Sequence, residues 1–138
     1  VSDALSTRHA AESYVLIQND SQPQAELLRE IVSLATALDI MLTANPLDAL
    51  EFIHRSPPVL VITDLNHPAL SGEEFISRLR RKCPSVPILV ATGDTASRQQ
   101  RALAAGANQA IGAPFKYETV VAAVRALLTS RSSSGPAG

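Results

Sequence analysis

The sequence predicts a doubly wound α/β domain with a five-stranded parallel sheet in the order 2-1-3-4-5. Three observations carry that prediction. Short apolar runs alternate with amphipathic stretches five times along the chain. The third run, Val59-Leu60-Val61-Ile62-Thr63, is apolar on both sides, as a central parallel strand covered on both faces must be. With 138 residues, 46% of them apolar, the chain suits one domain with a real core. Strict alternation implies crossover helices between parallel strands. In the 2-1-3-4-5 order, ligands sit at the carboxyl ends of strands one and three.

Each element has its own signal. Tyr14-Val15-Leu16-Ile17 is the first strand, followed by polar Gln18-Asn19-Asp20-Ser21. Leu27, Leu28, Ile31, Leu34, Ala35 and Leu38 recur at helical spacing. Ile40-Met41-Leu42-Thr43 reads as a second strand. Asn45-Pro46 starts a helix, because Asn caps free N–H groups and Pro suits the first turn. Leu47, Leu50 and Ile53 mark one face of that helix, and Pro57-Pro58 ends it. After the third strand, a loop with Pro68 and Gly72 leads to a helix carrying Phe75, Ile76 and Leu79, which ends before Pro84. Pro87-Ile88-Leu89-Val90-Ala91 is the fourth strand. A helix over 96–105 stops at Gly106, a natural left-handed residue at a helix end. Ala110-Ile111 is a short fifth strand, and Val120, Val121, Val124, Leu127 and Leu128 mark the last helix.

The ends carry no such pattern. Residues 1–12 read as a disordered N-terminal segment, 13–129 as the folded domain and 130–138 as a flexible tail or linker. Val at position 1 and the Ser-Gly-Pro tail suggest a domain excised from something longer. The formal net charge of −1 gives no field that would recruit nucleic acid directly. The lone Cys83 forms no internal disulfide, which favours a reducing cytoplasm. No apolar run approaches the roughly 20 residues that span a bilayer, and Val1 to Glu12 lacks an apolar core and does not read as a signal peptide.

The chemistry lies at the carboxyl ends of the strands. The first strand ends in Asn19-Asp20, the third in Asp64, and the fourth in Thr92-Gly93-Asp94. In the predicted order Asp20 and Asp64 lie on neighbouring strands. Two close carboxylates repel unless a cation joins them, and a hard ion such as Mg²⁺ takes a few protein oxygens and fills its shell with water and phosphate oxygens. A carboxylate facing that ion is a nucleophile toward a phosphoryl group, and the Thr92 hydroxyl is placed to donate to phosphoryl oxygens. The turn after the first strand has no glycine, so no dinucleotide fingerprint or Walker loop is present. A flavin or other cofactor on the same fold stays open as an alternative.

The run from Val59 to Gly72 combines an apolar strand, Asp64, three residues, Pro68, three residues and Gly72. With Pro87 through Thr92, Ala104-Ala105-Gly106-Ala107 and Ala113-Pro114-Phe115 following in order, it resembles the receiver domain of two-component response regulators over about residues 14–128. The resemblance implies the flavodoxin-like receiver fold and a signalling module of a bacterial phosphorelay rather than an enzyme. It makes Asp64 the phosphoacceptor, Asp20 and the backbone carbonyl of Asn66 further Mg²⁺ ligands with Asp64, and Thr92 the switch hydroxyl. It also implies a cis peptide at Ala113-Pro114. The implied partner is a histidine kinase or phosphotransfer protein, with its own output domain or a second copy as further candidates.

Three positions depart from the family pattern. Asn19 stands where a second acidic residue is usual, leaving it an indirect metal role. Ala113 stands where a lysine is usual, and Ala110 where an aromatic is usual. These substitutions predict weaker Mg²⁺ binding, loss of the cation paired with the phosphoryl group, and loss of the ring that reports phosphorylation. Weakened switching is the expectation, with a phosphate-independent docking or dimerisation module as the alternative. Taken singly, Asp20 and Asn19 read equally as helix caps. His9, His54 and His67 read as surface residues, with His67 near enough to Asp64 to tune access. Cys83 has no evident chemistry, and Arg78, Arg80, Arg81 and Lys82 read as a solvated helix end that suits the helix dipole.

Overall fold

A computed structural model describes residues 13–137, with side chains through Ser130. The stretch 1–12, read above as disordered, lies outside the described residues. The elements are β1 (Tyr14–Gln18), α1 (Gln22–Ala35), β2 (Asp39–Thr43), α2 (Pro46–Arg55), β3 (Leu60–Thr63), α3 (Gly72–Lys82), β4 (Ile88–Thr92), α4 (Ala96–Ala105), β5 (Gln109–Gly112) and α5 (Tyr117–Ala137). All strand pairs are parallel, in the order β2-β1-β3-β4-β5. This is the doubly wound sheet that the alternation predicts. The α5 backbone runs on to Ala137, through most of the stretch that reads as a tail in the sequence.

Period-two alternation along the buried strands divides the core into two layers. Leu16, Val61, Ile88 and Val90 face α2, α3 and α4, where Ala49, Ile53, Phe75, Ile76, Leu79 and Ala102 cover them. Val15, Ile17, Leu60, Ile62, Leu89 and Ala91 face α1 and α5, under Leu28, Ile31, Val32, Val120, Val124 and Leu127. Strands β1, β3 and β4 are buried from end to end, which is why they read as apolar runs up to a polar last residue.

Helix starts follow the capping chemistry. Asn45 Oδ1 accepts from the Leu47 N–H at 2.8 Å, with Pro46 in the first turn. At α1 the cap is Ser21, whose hydroxyl accepts from the Gln24 N–H at 3.4 Å, so Asp20 is not the cap. Helix α4 ends at Gly106 with φ of 129°, a left-handed conformation that favours glycine.

Three sequence readings are revised. Leu27 and Leu34 recur at helical spacing, yet they are 38% and 56% exposed, because α1 turns Leu28, Ile31 and Val32 to the sheet instead. Leu47 is likewise 44% exposed, while Ala49, Leu50 and Ile53 form the buried face of α2. Arg80 is not part of a solvated helix end. Its guanidinium donates to the carbonyls of Pro84 (3.0 Å), Val86 (2.6 Å) and Gly106 (2.7 Å) and to Asn108 Oδ1 (3.0 Å). One side chain thus stitches the end of α3 to the loop before β4 and the loop before β5, and the rigid planar fork of arginine suits that task.

Candidate functional site

Parallel pairing brings the carboxyl ends of β1, β3 and β4 to one edge. Gln18 is in register with Thr63, and the Thr63 hydroxyl donates to Gln18 Oε1 at 2.8 Å. That buried polar pair fixes the last rung of the β1–β3 ladder. The Asp64 N–H extends it by donating to the Gln18 carbonyl at 3.1 Å. Asp64 and Asp20 therefore emerge from neighbouring strand ends, half-buried and exposed respectively.

The loop after Asp64 folds back on itself. The Leu65 N–H donates to Asp64 Oδ1 at 2.7 Å, which fixes the carboxylate from its own chain. The Gly72 N–H donates to the Leu65 carbonyl at 3.0 Å, closing the loop onto the first residue of α3. A Cβ on Gly72 would lie 2.5 Å from Leu65 Cα, so the closure requires glycine. This is the physical content of the Asp-x₃-Pro-x₃-Gly spacing.

Asn19 is buried and turned toward α1. Its Oδ1 accepts from the Ser21 N–H at 2.8 Å and its Nδ2 donates to Gln24 Oε1 at 3.1 Å. Thr92 is fully buried, and its Oγ1 accepts from the Asp94 N–H at 3.1 Å. Ala113 is exposed, its N–H bonded to the Thr92 carbonyl at 3.0 Å, and the Ala113–Pro114 peptide is cis as the resemblance implies. Ala110 lies half-buried on β5 against the core layer below α4. Lys116 is exposed beyond the cis bond. His67 Nδ1 accepts from the Ala69 N–H at 3.0 Å, a local loop contact.

Two charged residues at this edge, Arg98 and Glu73, escape the sequence reading. Arg98 on α4 donates to Glu73 Oε2 (2.6 Å) and Oε1 (3.0 Å), to Asp94 Oδ2 (2.9 Å), to Asn66 Oδ1 (3.0 Å) and to the Leu65 carbonyl (3.0 Å). Asn66 Nδ2 in turn donates to Asp94 Oδ2 at 3.1 Å. The only local sequence signal for this network is the four-residue spacing of Asp94 and Arg98. Its other partners are 25 to 33 residues away.

The network shifts titrations in a consistent direction. The hydrogen bond from Arg98 holds the Glu73 carboxyl below its ordinary 4.5. The Thr95 N–H, then Asn66 and Arg98, hold Asp94 below its ordinary 3.8. A carboxylate whose value is depressed by folding stabilises the fold above its unfolded value, and that contribution disappears as pH falls through the folded one. Chemical denaturation across pH 7 to 3 is therefore expected to show a steeper acid loss of stability in the wild type than in Glu73→Gln. The two curves should converge at the acid end, and parallel curves would refute the assignment.

The arrangement matches known proteins over nearly its whole length. The profile of the response regulator receiver domain matches residues 15–125. The chain belongs to the response regulator receiver family. It is similar to the response regulator MprA of Mycobacterium sp. (strain KMS), at 33% identity over 88% of this chain and 54% of that protein. MprA of Mycobacterium leprae (strain TN) matches at 33% identity over 83% of this chain and 50% of that protein. The receiver chain thus spans about half the length of these relatives. Among solved structures, the signal receiver domain of a putative Luxo repressor protein from Vibrio parahaemolyticus superposes with a TM-score of 0.82 at 25% identity, covering 90% of this chain and 95% of that one. A putative response regulator from Chloroflexus aurantiacus J-10-fl gives 0.78 at 27% identity, covering 84% and 97%. Receiver domains are signalling modules of two-component systems, and no helix among the described residues is long and apolar enough to cross a membrane.

Proposed function

We propose that this receiver domain accepts a phosphoryl group on Asp64 from the phosphohistidine of a histidine kinase or phosphotransfer protein, assisted by Mg²⁺. The observation that carries this reading is the emergence of Asp20 and Asp64 from neighbouring strand ends, just beyond the Gln18–Thr63 rung. In the transfer, an Asp64 carboxylate oxygen forms a bond to phosphorus. The donor's P–N bond breaks, and its electron pair leaves on the imidazole, which takes up a proton.

The donor set at this edge suits a hard divalent ion. It consists of the Asp20 and Asp64 carboxylates and the backbone carbonyl of Asn66, all oxygens, with water completing the shell. When bound, Mg²⁺ neutralises charge between the acceptor and the incoming phosphoryl oxygens. Asn19 contributes only indirectly, because its carboxamide is engaged with Ser21 and Gln24. Thr92 acts as the switch hydroxyl by giving up the Asp94 N–H and turning toward the phosphoryl group. With methyl groups at Ala110 and Ala113, that movement has neither an ammonium to favour it nor a ring to report it, so switching is weakened. Those two positions and the engaged Asn19 support a second reading, a docking or dimerisation module indifferent to phosphate.

A backbone NMR titration with Mg²⁺, then with Mg²⁺ and beryllofluoride, separates the readings. The expected result is saturable shifts at Asp20, Asp64 and Thr92, small effects at Ala110 and on α5, and none of these in Asp64→Asn. An unresponsive wild type would leave the phosphate-independent module.

A further inference from the structure

The Arg98 guanidinium grips the β3–α3 loop at two consecutive residues. One branch bonds the carbonyl of Leu65, the residue before Asn66, and the other bonds the Asn66 side chain. The same group is anchored by both oxygens of Glu73 at the start of α3 and by Asp94 in the loop after β4. Five donor contacts from one planar fork leave the loop little freedom to move independently of α4. The residue gripped is the one whose carbonyl is assigned to the ion, and the loop holding Asp94 begins directly after Thr92.

We infer that Arg98 is a positioning residue: it presents the Asn66 carbonyl to the divalent ion and ties that loop mechanically to α4. The ion half of this inference rests on the phosphoacceptor reading above, while the tie between the loops does not. In a chain that carries alanine at 110 and 113, this tie, beside the Asn66–Asp94 hydrogen bond, is a route by which a change beside Asp64 reaches α4. Arginine is required, because a lysine ammonium at this place has no fork with which to reach Glu73, Leu65 and Asn66 together.

The test compares wild type, Arg98→Lys, Arg98→Met and Glu73→Gln by amide hydrogen exchange without ion and by Mg²⁺ titration followed on the Leu65 and Asn66 amides. In both Arg98 variants, exchange is expected to rise together in 65–71 and 94–98. Mg²⁺ binding should weaken by about tenfold, the scale typical of groups that orient a metal ligand. Glu73→Gln keeps the guanidinium and should give a smaller effect of the same pattern, so a folding failure of Arg98→Met does not remove the test. Wild-type exchange in Arg98→Lys, or a rise in only one of the two loops, overturns the tie. Weakened exchange protection with wild-type Mg²⁺ affinity overturns the positioning of the carbonyl. A wild type that binds no Mg²⁺ defeats the phosphoacceptor reading and the ion half with it, and the exchange result still decides the tie.

Discussion

Asp64→Asn is expected to abolish covalent phosphoryl uptake from a small donor such as acetyl phosphate while leaving the thermal midpoint close to that of the wild type. The carboxamide keeps an Oδ1 that can accept the Leu65 N–H, so the contact that fixes the side chain at 2.7 Å survives. The change removes the nucleophile and, with it, one of the two carboxylates assigned to Mg²⁺, but leaves the fold's own contacts in place. Asp20→Asn is the informative partner. It leaves the nucleophile in place and removes one of the two carboxylates assigned to Mg²⁺, so uptake should fall but recover as Mg²⁺ is raised. Intact-mass measurement after a timed incubation reads both. Uptake by Asp64→Asn equal to the wild type would place the phosphoryl group elsewhere. No wild-type uptake at any Mg²⁺ concentration would favour the phosphate-independent module. Asn19→Asp adds the second acidic group of the family pattern, and the same assay then reports how far its absence limits this chain.

What the sequence makes legible, and what it hides, divides by distance along the chain. The strands at 14–18, 60–63 and 88–92 are plain because both faces are buried and every residue but the last of each is apolar. The starts of α2 at Asn45 and the end of α4 at Gly106 are plain because caps are local chemistry. The Asp64 loop is plain because a close approach seven residues apart leaves a glycine as its mark. Leu27 and Leu34 mislead, since spacing places them on a helix without saying which stripe the sheet covers. Arg80 misleads more, and Arg98 goes unnoticed. Each looks like one cation among several on a helix, and each is defined by partners that folding brings from 25 or more residues away. The bland reading of a charge cluster is correct for Arg78 and Arg81, which pair with Glu74 at the surface. It fails for Arg80, which donates to backbone carbonyls in two loops.

Gly72→Ala tests whether that loop closure is structural, functional or both. The new Cβ would meet Leu65 Cα and Leu65 Cδ2, each at 2.5 Å. The leucine side chain can rotate away, but the Cα can yield only if the loop backbone moves. Forcing such a shift in a packed region costs about 3 kcal/mol. For a domain of this size that is a fall of about 10 °C in the thermal midpoint. Leu65→Ala in the same chain removes the Cδ2 clash and leaves the Cα clash, so the double variant should recover little of the loss attributed to the clash. Full recovery would show that only the side chain objected. The movement also has a chemical consequence, because the peptide of Leu65 makes three contacts that converge on the site. Its N–H holds Asp64 Oδ1, and its carbonyl accepts from both Gly72 and Arg98. Displacing Leu65 therefore disturbs the acceptor carboxylate and the Arg98 network together. Gly72→Ala should lose Mg²⁺-dependent shifts at Asp64 even at temperatures where it remains folded. If the variant is destabilised but titrates like the wild type, the glycine serves the packing of α3 alone, and the geometry at Asp64 is held by the β1–β3 rung.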